Sequence, residues 1–197
     1  MSMKCYHKEI SDASSDSELI TEYGQSRSEA ALSVLFARYR KPFYAYLNRM
    51  LNNDSMSADD VFQELWIRIM KRLPECRNHE NFAGWGFAIA HNLVMGHYRS
   101  LASRRKIGSE TPDGELPDPV SENIQEPMEW EYEVYRRQQL EKAILRLPPE
   151  QKEVVELRRM GISFNEIAAI QNCPLNTALG RMHKAVKTLR FELNNIE

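Results

Sequence analysis

The sequence predicts an all-α protein: two small helical domains joined by a flexible acidic linker. Three observations carry this prediction. Apolar residues recur at spacings of three and four along most of the chain, without the alternation that marks strands. The segment IGSETPDGELPDPVSENIQEP, residues 107–127, holds four prolines and six acids with no base and no aromatic residue. That composition buries too little apolar surface to fold. A length of 197 residues, 42% hydrophobic and 27% charged, suits a globular chain of one domain or two small ones. The expected organisation is a polar N-terminal extension over 1–24, a first domain over 25–106, the linker over 107–128 and a second domain over 129–197.

In the first domain, Ser28 caps a helix whose stripe runs Leu32, Leu35, Phe36, Tyr39, Phe43, Leu47 and Met50, with a kink expected at Pro42. The stretch Asn52 to Ser55 ends it. SADDVFQELWIRIMKRL opens on Ser57 as a cap, with Asp59 and Asp60 in the first turn, where carboxylates suit the helix dipole. Val61, Phe62, Leu65 and Ile69 turn inward. Asp60, Gln63, Glu64 and Arg68 are left on one outer stripe. A third helix, from about Asn81 to Ser103, directs Phe82, Trp85, Ile89 and Leu93 inward and ends in the basic run SRRK. Phe82 and Trp85 share that inward face, which favours core packing over base stacking.

The second domain opens with the amphipathic stretch MEWEYEVYRRQQLEKAILRL, stopped by Pro148 and Pro149. A helix follows over about 150–159. Gly161 then turns the chain, and Ser163 with Glu166 forms a capping box ahead of Ile167, Ala168 and Ile170. Asn176 is placed to cap the last helix. A short helix, a tight turn and a longer basic helix make a helix-turn-helix, whose second helix enters the major groove. On a helical wheel Leu175, Ala178, Met182, Ala185, Val186, Leu189 and Leu193 share one face, with Thr177, Gly180, Arg181, Lys184, Lys187 and Thr188 opposite. Taken alone, such a basic face fits a solvated surface helix equally well.

Composition narrows the function classes. Domains of under about 100 residues leave little room for a deep substrate cavity, and no His/carboxylate or Gly-rich phosphate cluster has useful spacing, so the chain is not expected to be an enzyme. Cys5, Cys76 and Cys173 are widely spaced, which argues against a disulfide framework. Cys5 and His7 make at most half a metal site, and His91 and His97, six apart on a helix, do not face one way. No metal and no cofactor is expected. No stretch approaches the roughly 18 apolar residues of a membrane span, and the N-terminus lacks the apolar core of a signal peptide, so the expected location is cytoplasmic, without membrane insertion. The formal charge of −2 hides an excess of Lys/Arg over residues 28–106 and unbroken acidity over 107–128. A chain that holds DNA unaided usually carries a large positive excess, because neutralised phosphates supply most of the affinity.

Two stretches carry a resemblance. LPPEQKEVVELRRMGISFNEIAAIQNCPLNTALGRMHKAVKTL resembles the C-terminal domain of extracytoplasmic-function sigma factors of the sigma-70 family, with its L-P-x-x-x-R-x-V-x-x-L, S-x-x-E-I-A and T-V-x-S-R-x-x-R-A pattern. ADDVFQELWIRI is similar to that family's core-polymerase-binding helix. NFAGWGFAIAHNLVMGHYR is similar to its promoter-melting helix, with Phe82, Trp85, Ile89, Ala90, Asn92 and His97 at matching positions. The resemblance covers about residues 28–106 and 130–190.

It implies a sigma factor that binds core RNA polymerase through the beta and beta-prime subunits, reads the minus-thirty-five and minus-ten promoter elements and melts the DNA. An anti-sigma factor is a partner it allows. Asp60, Gln63 and Glu64, with Arg68 beside them, would bind core polymerase; the alternative for Asp59 and Asp60 is plain helix capping. Asn78, His79, Asn92, His97, Tyr98 and Arg99 would serve the minus-ten element, where flipped bases are held by stacking and hydrogen bonds. Thr177, Gly180, Arg181, Lys184 and Lys187 would serve the minus-thirty-five element. The acidic linker would thread towards the polymerase active site, or act as a solvated spacer. The other function open to this pattern is a helix-turn-helix regulator independent of core polymerase, its first domain used for dimerisation or sensing.

The chain departs from the family pattern at Ala178, Leu179 and Gly180, and at Gly86 and Gly96. Leu179, about 40° from Leu175 on the wheel, is expected to pack at the edge of the buried stripe. Each of the two helix glycines either loosens the third helix, by about 1 kcal/mol relative to Ala if exposed, or eases close approach of DNA.

Overall fold

The computed structural model describes residues 10–76, 81–106 and 129–194. Within them run eight α-helices: α1 (Asp16–Ser26), α2 (Glu29–Met50), α3 (Ser55–Arg72), α4 (Phe82–Lys106), α5 (Glu129–Arg146), α6 (Pro149–Arg159), α7 (Phe164–Ile170) and α8 (Leu175–Asn194), with a single 3-10 turn, Leu73–Glu75, after α3. No strand occurs among the described residues, in agreement with the all-α expectation. The chain divides into two compact units, Met1–Leu93 with Ala169–Asn172, and Val94–Ala168 with Cys173–Glu197.

The first unit contains a helix that the polar composition of residues 1–24 did not predict. Ser15 caps α1 in a full capping box with Glu18, and Leu19, Ile20 and Tyr23 are buried. Asp16 fastens α1 to α2 by accepting hydrogen bonds from Arg38 and Tyr39. Arg38 also donates to the Asp12 and Ser14 carbonyls at 3.0 and 2.9 Å. Burial and the bond to Asp16 push the Tyr39 hydroxyl well above the usual phenol range.

Ser28 caps α2 as expected, and the helix runs through Pro42 without ending. The start of α3 differs from expectation. Asp54, not Ser57, is the N-cap: its carboxylate accepts from the Ser57 amide at 3.4 Å and from the Ser57 hydroxyl at 2.7 Å. Both residue types cap well. With the helix begun at Ser55, Asp59 and Asp60 lie beyond its first turn and do no capping.

The core of this unit is aromatic. Phe43, fully buried, stacks on Tyr39 at 5.6 Å and meets Trp66, Phe82 and Phe87 at 6.0, 6.3 and 4.9 Å between ring centroids. Asn81 begins α4, its side-chain oxygen accepting from the Gly84 amide at 2.8 Å. Gly86 is buried directly against Phe43: a Cβ there would lie 3.1 Å or less from three atoms of the ring. Its role is therefore packing, not approach to DNA. Gly96 faces open space. Gly86→Ala should destabilise this unit by about 1–3 kcal/mol, because the ring is enclosed and overpacking strains it. Gly96→Ala, the control, should be neutral or stabilising by up to about 1 kcal/mol; equal melting temperatures for the two variants would refute the packing role.

In the second unit Ile144, Leu147, Val155 and Ala185 form the core of α5, α6 and α8, joined by the partly buried Leu140, Met182 and Leu189. Arg159 ties α6 to α5 by donating to both Glu141 oxygens, at 3.1 and 2.5 Å. The expected capping box is present: Ser163 N–H donates to Glu166 at 3.0 Å and Glu166 N–H to the Ser163 hydroxyl at 3.3 Å. Gly161 turns the chain at φ +85°, a conformation that suits glycine. The start of α8 corrects another expectation. Thr177 and Ala178 amides both donate to the Pro174 carbonyl, at 2.9 and 3.2 Å, so Pro174 holds the cap position and Asn176 lies inside the helix. Burial lowers the Lys152 ammonium to about 8, opposed by Glu156.

Candidate polymerase and nucleic-acid interfaces

The candidate polymerase surface follows from the turn-by-turn geometry of α3. Asp60 and Gln63 are exposed, Glu64 and Arg68 half-buried, and Arg68 Nε donates to Glu64 Oε1 at 2.7 Å across one helical turn. Two apolar residues that sequence reasoning passed over belong to this stripe. Met56 is 79% and Ile67 40% exposed, and both lie within about 60° of Asp60 around the helix axis, as do Gln63 and Glu64. The signal was legible, since both break the inward apolar pattern. Asp59, by contrast, is turned to α2 and accepts a hydrogen bond from Tyr44, which raises the phenol pKa. Beside it an open cleft of about 380 Å³ is lined by Phe36, Arg40, Lys41, Tyr44, Ala45 and Phe62.

Along α4, the exposed Asn92 donates from Nδ2 to its own helix at Ala88 O, 2.9 Å away, and Arg99 Nε to Met95 O at 3.3 Å. Trp85, Asn92 and Arg99 follow one another at intervals of seven and so share one side of the helix, to within about 20° per step. Phe82 is fully buried, as expected for core; Trp85 is half-exposed and on Asn92's side, so the two aromatics part company. His97 and Tyr98 point elsewhere, at least about 100° from Asn92. Both are half-buried, their rings 6.4 Å apart, and the Tyr98 hydroxyl is pushed up by burial and by Glu153. Asn78 and His79 lie outside the described residues, as do Cys5, His7 and the linker. Among the described residues no group of three His, Cys, Asp or Glu side chains is placed to hold a metal.

On α8 the buried anchor is small: Ala178 and Ala185 are fully enclosed. Met182, Val186, Leu189 and Leu193 are half-buried. Leu175 and Leu179, expected to pack, are instead 41% and 40% exposed. Two small residues seven apart bring the helix close on their own side and leave the leucine edge outside. Thr177, Lys184 and Lys187 are exposed, a Cβ added to Gly180 would meet nothing within 4 Å, and Arg181 Nη1 lies 3.6 Å from Cys173 Sγ. Asn176 and His183 are also exposed, on the same side as Lys187, and extend the polar face beyond the residues picked from sequence.

Against these surfaces stand the matches to known proteins. The family description of sigma-70 region 2 matches residues 35–104, and that of sigma-70 region 4 matches residues 137–189. The chain belongs to the sigma-70 family. Its relatives place this sigma factor in the extracytoplasmic-function (ECF) branch. It is 29% identical over 183 residues to the ECF RNA polymerase sigma factor BldN of Streptomyces coelicolor, covering 92% of this chain and 64% of that one. It is 27% identical over 173 residues to the ECF RNA polymerase sigma-E factor of Escherichia coli K12, covering 85% of this chain and 89% of that one. Among solved structures, the sigma factor RpoE in complex with the anti-sigma factor NepR, from Bartonella quintana, aligns at TM-score 0.61 and 19% identity over 83% of this chain and 96% of that one. CnrH in complex with the cytosolic domain of CnrY aligns at TM-score 0.64 and 20% identity over 92% and 99%. These two likenesses are of fold.

Proposed function

We propose that the protein is a dissociable initiation factor that joins core RNA polymerase and directs promoter-specific transcription. The observation that carries this is the pair of region 2 and region 4 matches, in that order on one chain. The α3 stripe, with Asp60, Gln63, Glu64 and Arg68 and the exposed Met56 and Ile67 flanking them, is the docking surface for the core enzyme. The polar residues form its middle, with Met56 and Ile67 as apolar contacts at either end, so charge pairing sets the choice of partner and the two flanking side chains add buried area. Asn92, Arg99 and Trp85 on one side of α4, with Asn78, His79, His97 and Tyr98, serve the minus-ten element and hold bases of the opened strand. Thr177, Gly180, Arg181, Lys184 and Lys187 on α8 serve the minus-thirty-five element, and residues 107–128 form the linker between the two DNA-reading domains.

The formal charge of −2 agrees with this division of labour. Core polymerase supplies the additional phosphate contacts, and tethering to it raises the effective concentration for each weak DNA contact. The factor itself catalyses no covalent step. No described helix is long and apolar enough to cross a membrane, and the site of action is the cytoplasm, where core polymerase works. An anti-sigma factor is the regulatory partner we propose for it.

The test is transcription in vitro from a promoter library with core polymerase, with and without the chain. Stimulation from a specific subset of promoters is expected. No stimulation of a competent core would overturn the reading. A strong, sequence-specific gel shift by the chain alone would favour an independent helix-turn-helix regulator.

A further inference from the structure

A solitary exposed leucine on a protein surface needs no explanation, but Leu179 is not solitary and its place is unusual. It lies one helical turn after Leu175, and both are about two-fifths exposed on the first two turns of α8. Those are the turns that a helix-turn-helix presents to base edges. The helix is anchored through Ala178 and Ala185, and among the described residues this leucine edge is left about two-fifths exposed.

The neighbours of Leu179 suit close approach to a base pair. Gly180 carries no side chain, and the space beyond it is open to at least 4 Å. Nothing on that flank holds Leu179 away from the groove floor. Asn176 and His183, both exposed, lie within about 60° of it around the helix and offer polar atoms alongside. In the major groove the one apolar group on a base edge is the C5 methyl of thymine, while adenine on the same pair presents the donor and acceptor that an amide side chain matches.

We propose that Leu179 is a specificity-determining residue, packing against the methyl group of a thymine in the upstream promoter element. This rests on the sigma-factor reading. Phosphate-type contacts by Lys184 and Lys187 position the helix, and Leu179 contributes the choice of base.

Replacing each thymine of the upstream element in turn by deoxyuridine removes only the methyl and keeps every hydrogen-bonding atom. With the chain bound to core polymerase, one position should lose about fourfold in initiation, the worth of one buried methyl. Leu179→Ala should abolish the difference between thymine and deoxyuridine at that position while co-purifying normally with core. Stimulated transcription without methyl sensitivity at any position, or the same sensitivity in Leu179→Ala, would overturn the proposal and leave the sigma-factor reading standing. The deoxyuridine series with the unaltered chain is decisive even where the variant is poorly behaved. No stimulation of core at any promoter would overturn both.

Discussion

Asp60→Lys combined with Glu64→Lys is expected to abolish co-purification with core polymerase while leaving the helices intact. The two carboxylates sit on the exposed side of α3, and the Glu64–Arg68 pair, with both side chains more than 40% exposed, adds little to stability. Their reversal therefore costs the fold little. It costs the interface much, because like charges brought together at a docking surface oppose association by several kcal/mol. That amounts to a loss of affinity of about a hundredfold or more, read by co-purification or by competition for core enzyme. Since Asp54 caps α3, a loss of binding with an unchanged melting temperature cannot be assigned to helix fraying. Unchanged co-purification would remove this surface from the docking assignment.

Phe43→Ala should have the largest effect on stability. Its ring sits among Tyr39, Trp66, Phe82 and Phe87, beneath the glycine that makes room for it. Truncating an enclosed phenylalanine costs about 3–5 kcal/mol, against a total of about 5–15 kcal/mol for a typical domain. At about 4–8 °C per kcal/mol for a domain of this size, the first unit should melt at least roughly 12 °C lower or lose its cooperative transition. A fall of only a degree or two would mean that the aromatic cluster is not the keystone of the unit. Phe43→Leu, which keeps much of the apolar volume, should fall between the two.

Much of the fold was legible in the sequence because helices write their periodicity and their ends locally. The Ser28 cap, the Ser163–Glu166 box and the Gly161 turn are all decided within four residues, and all are as expected. What was not legible depends on a neighbour from elsewhere in the chain. Residues 16–26 carry few apolar side chains, and their helix is held by Asp16 reaching Arg38 and Tyr39, more than twenty residues away. Asp54 and Ser57 are equally good caps in isolation, and Gly86 has no local explanation until Phe43 lies over it. The docking stripe is a different case: Met56 and Ile67 could have been read with its polar residues, since both fall outside the inward face that Ala58, Leu65 and Trp66 mark on the same helix. On α8 the wheel placed Ala178 and Ala185 on the buried face, where they are, but it could not show that close packing at these two alanines leaves Leu175 and Leu179 outside.

The bond between Glu64 and Arg68 has one more effect, on how binding responds to salt. Arg68 largely cancels the charge of Glu64 at a distance, so an approaching partner feels chiefly the carboxylates of Asp59 and Asp60. The long-range attraction is then weak, and raising ionic strength should erode association with core polymerase only gently, while the DNA contacts of α8 fall away steeply. The two halves of the factor would thus part company with concentrated salt at different points, promoter first and polymerase last.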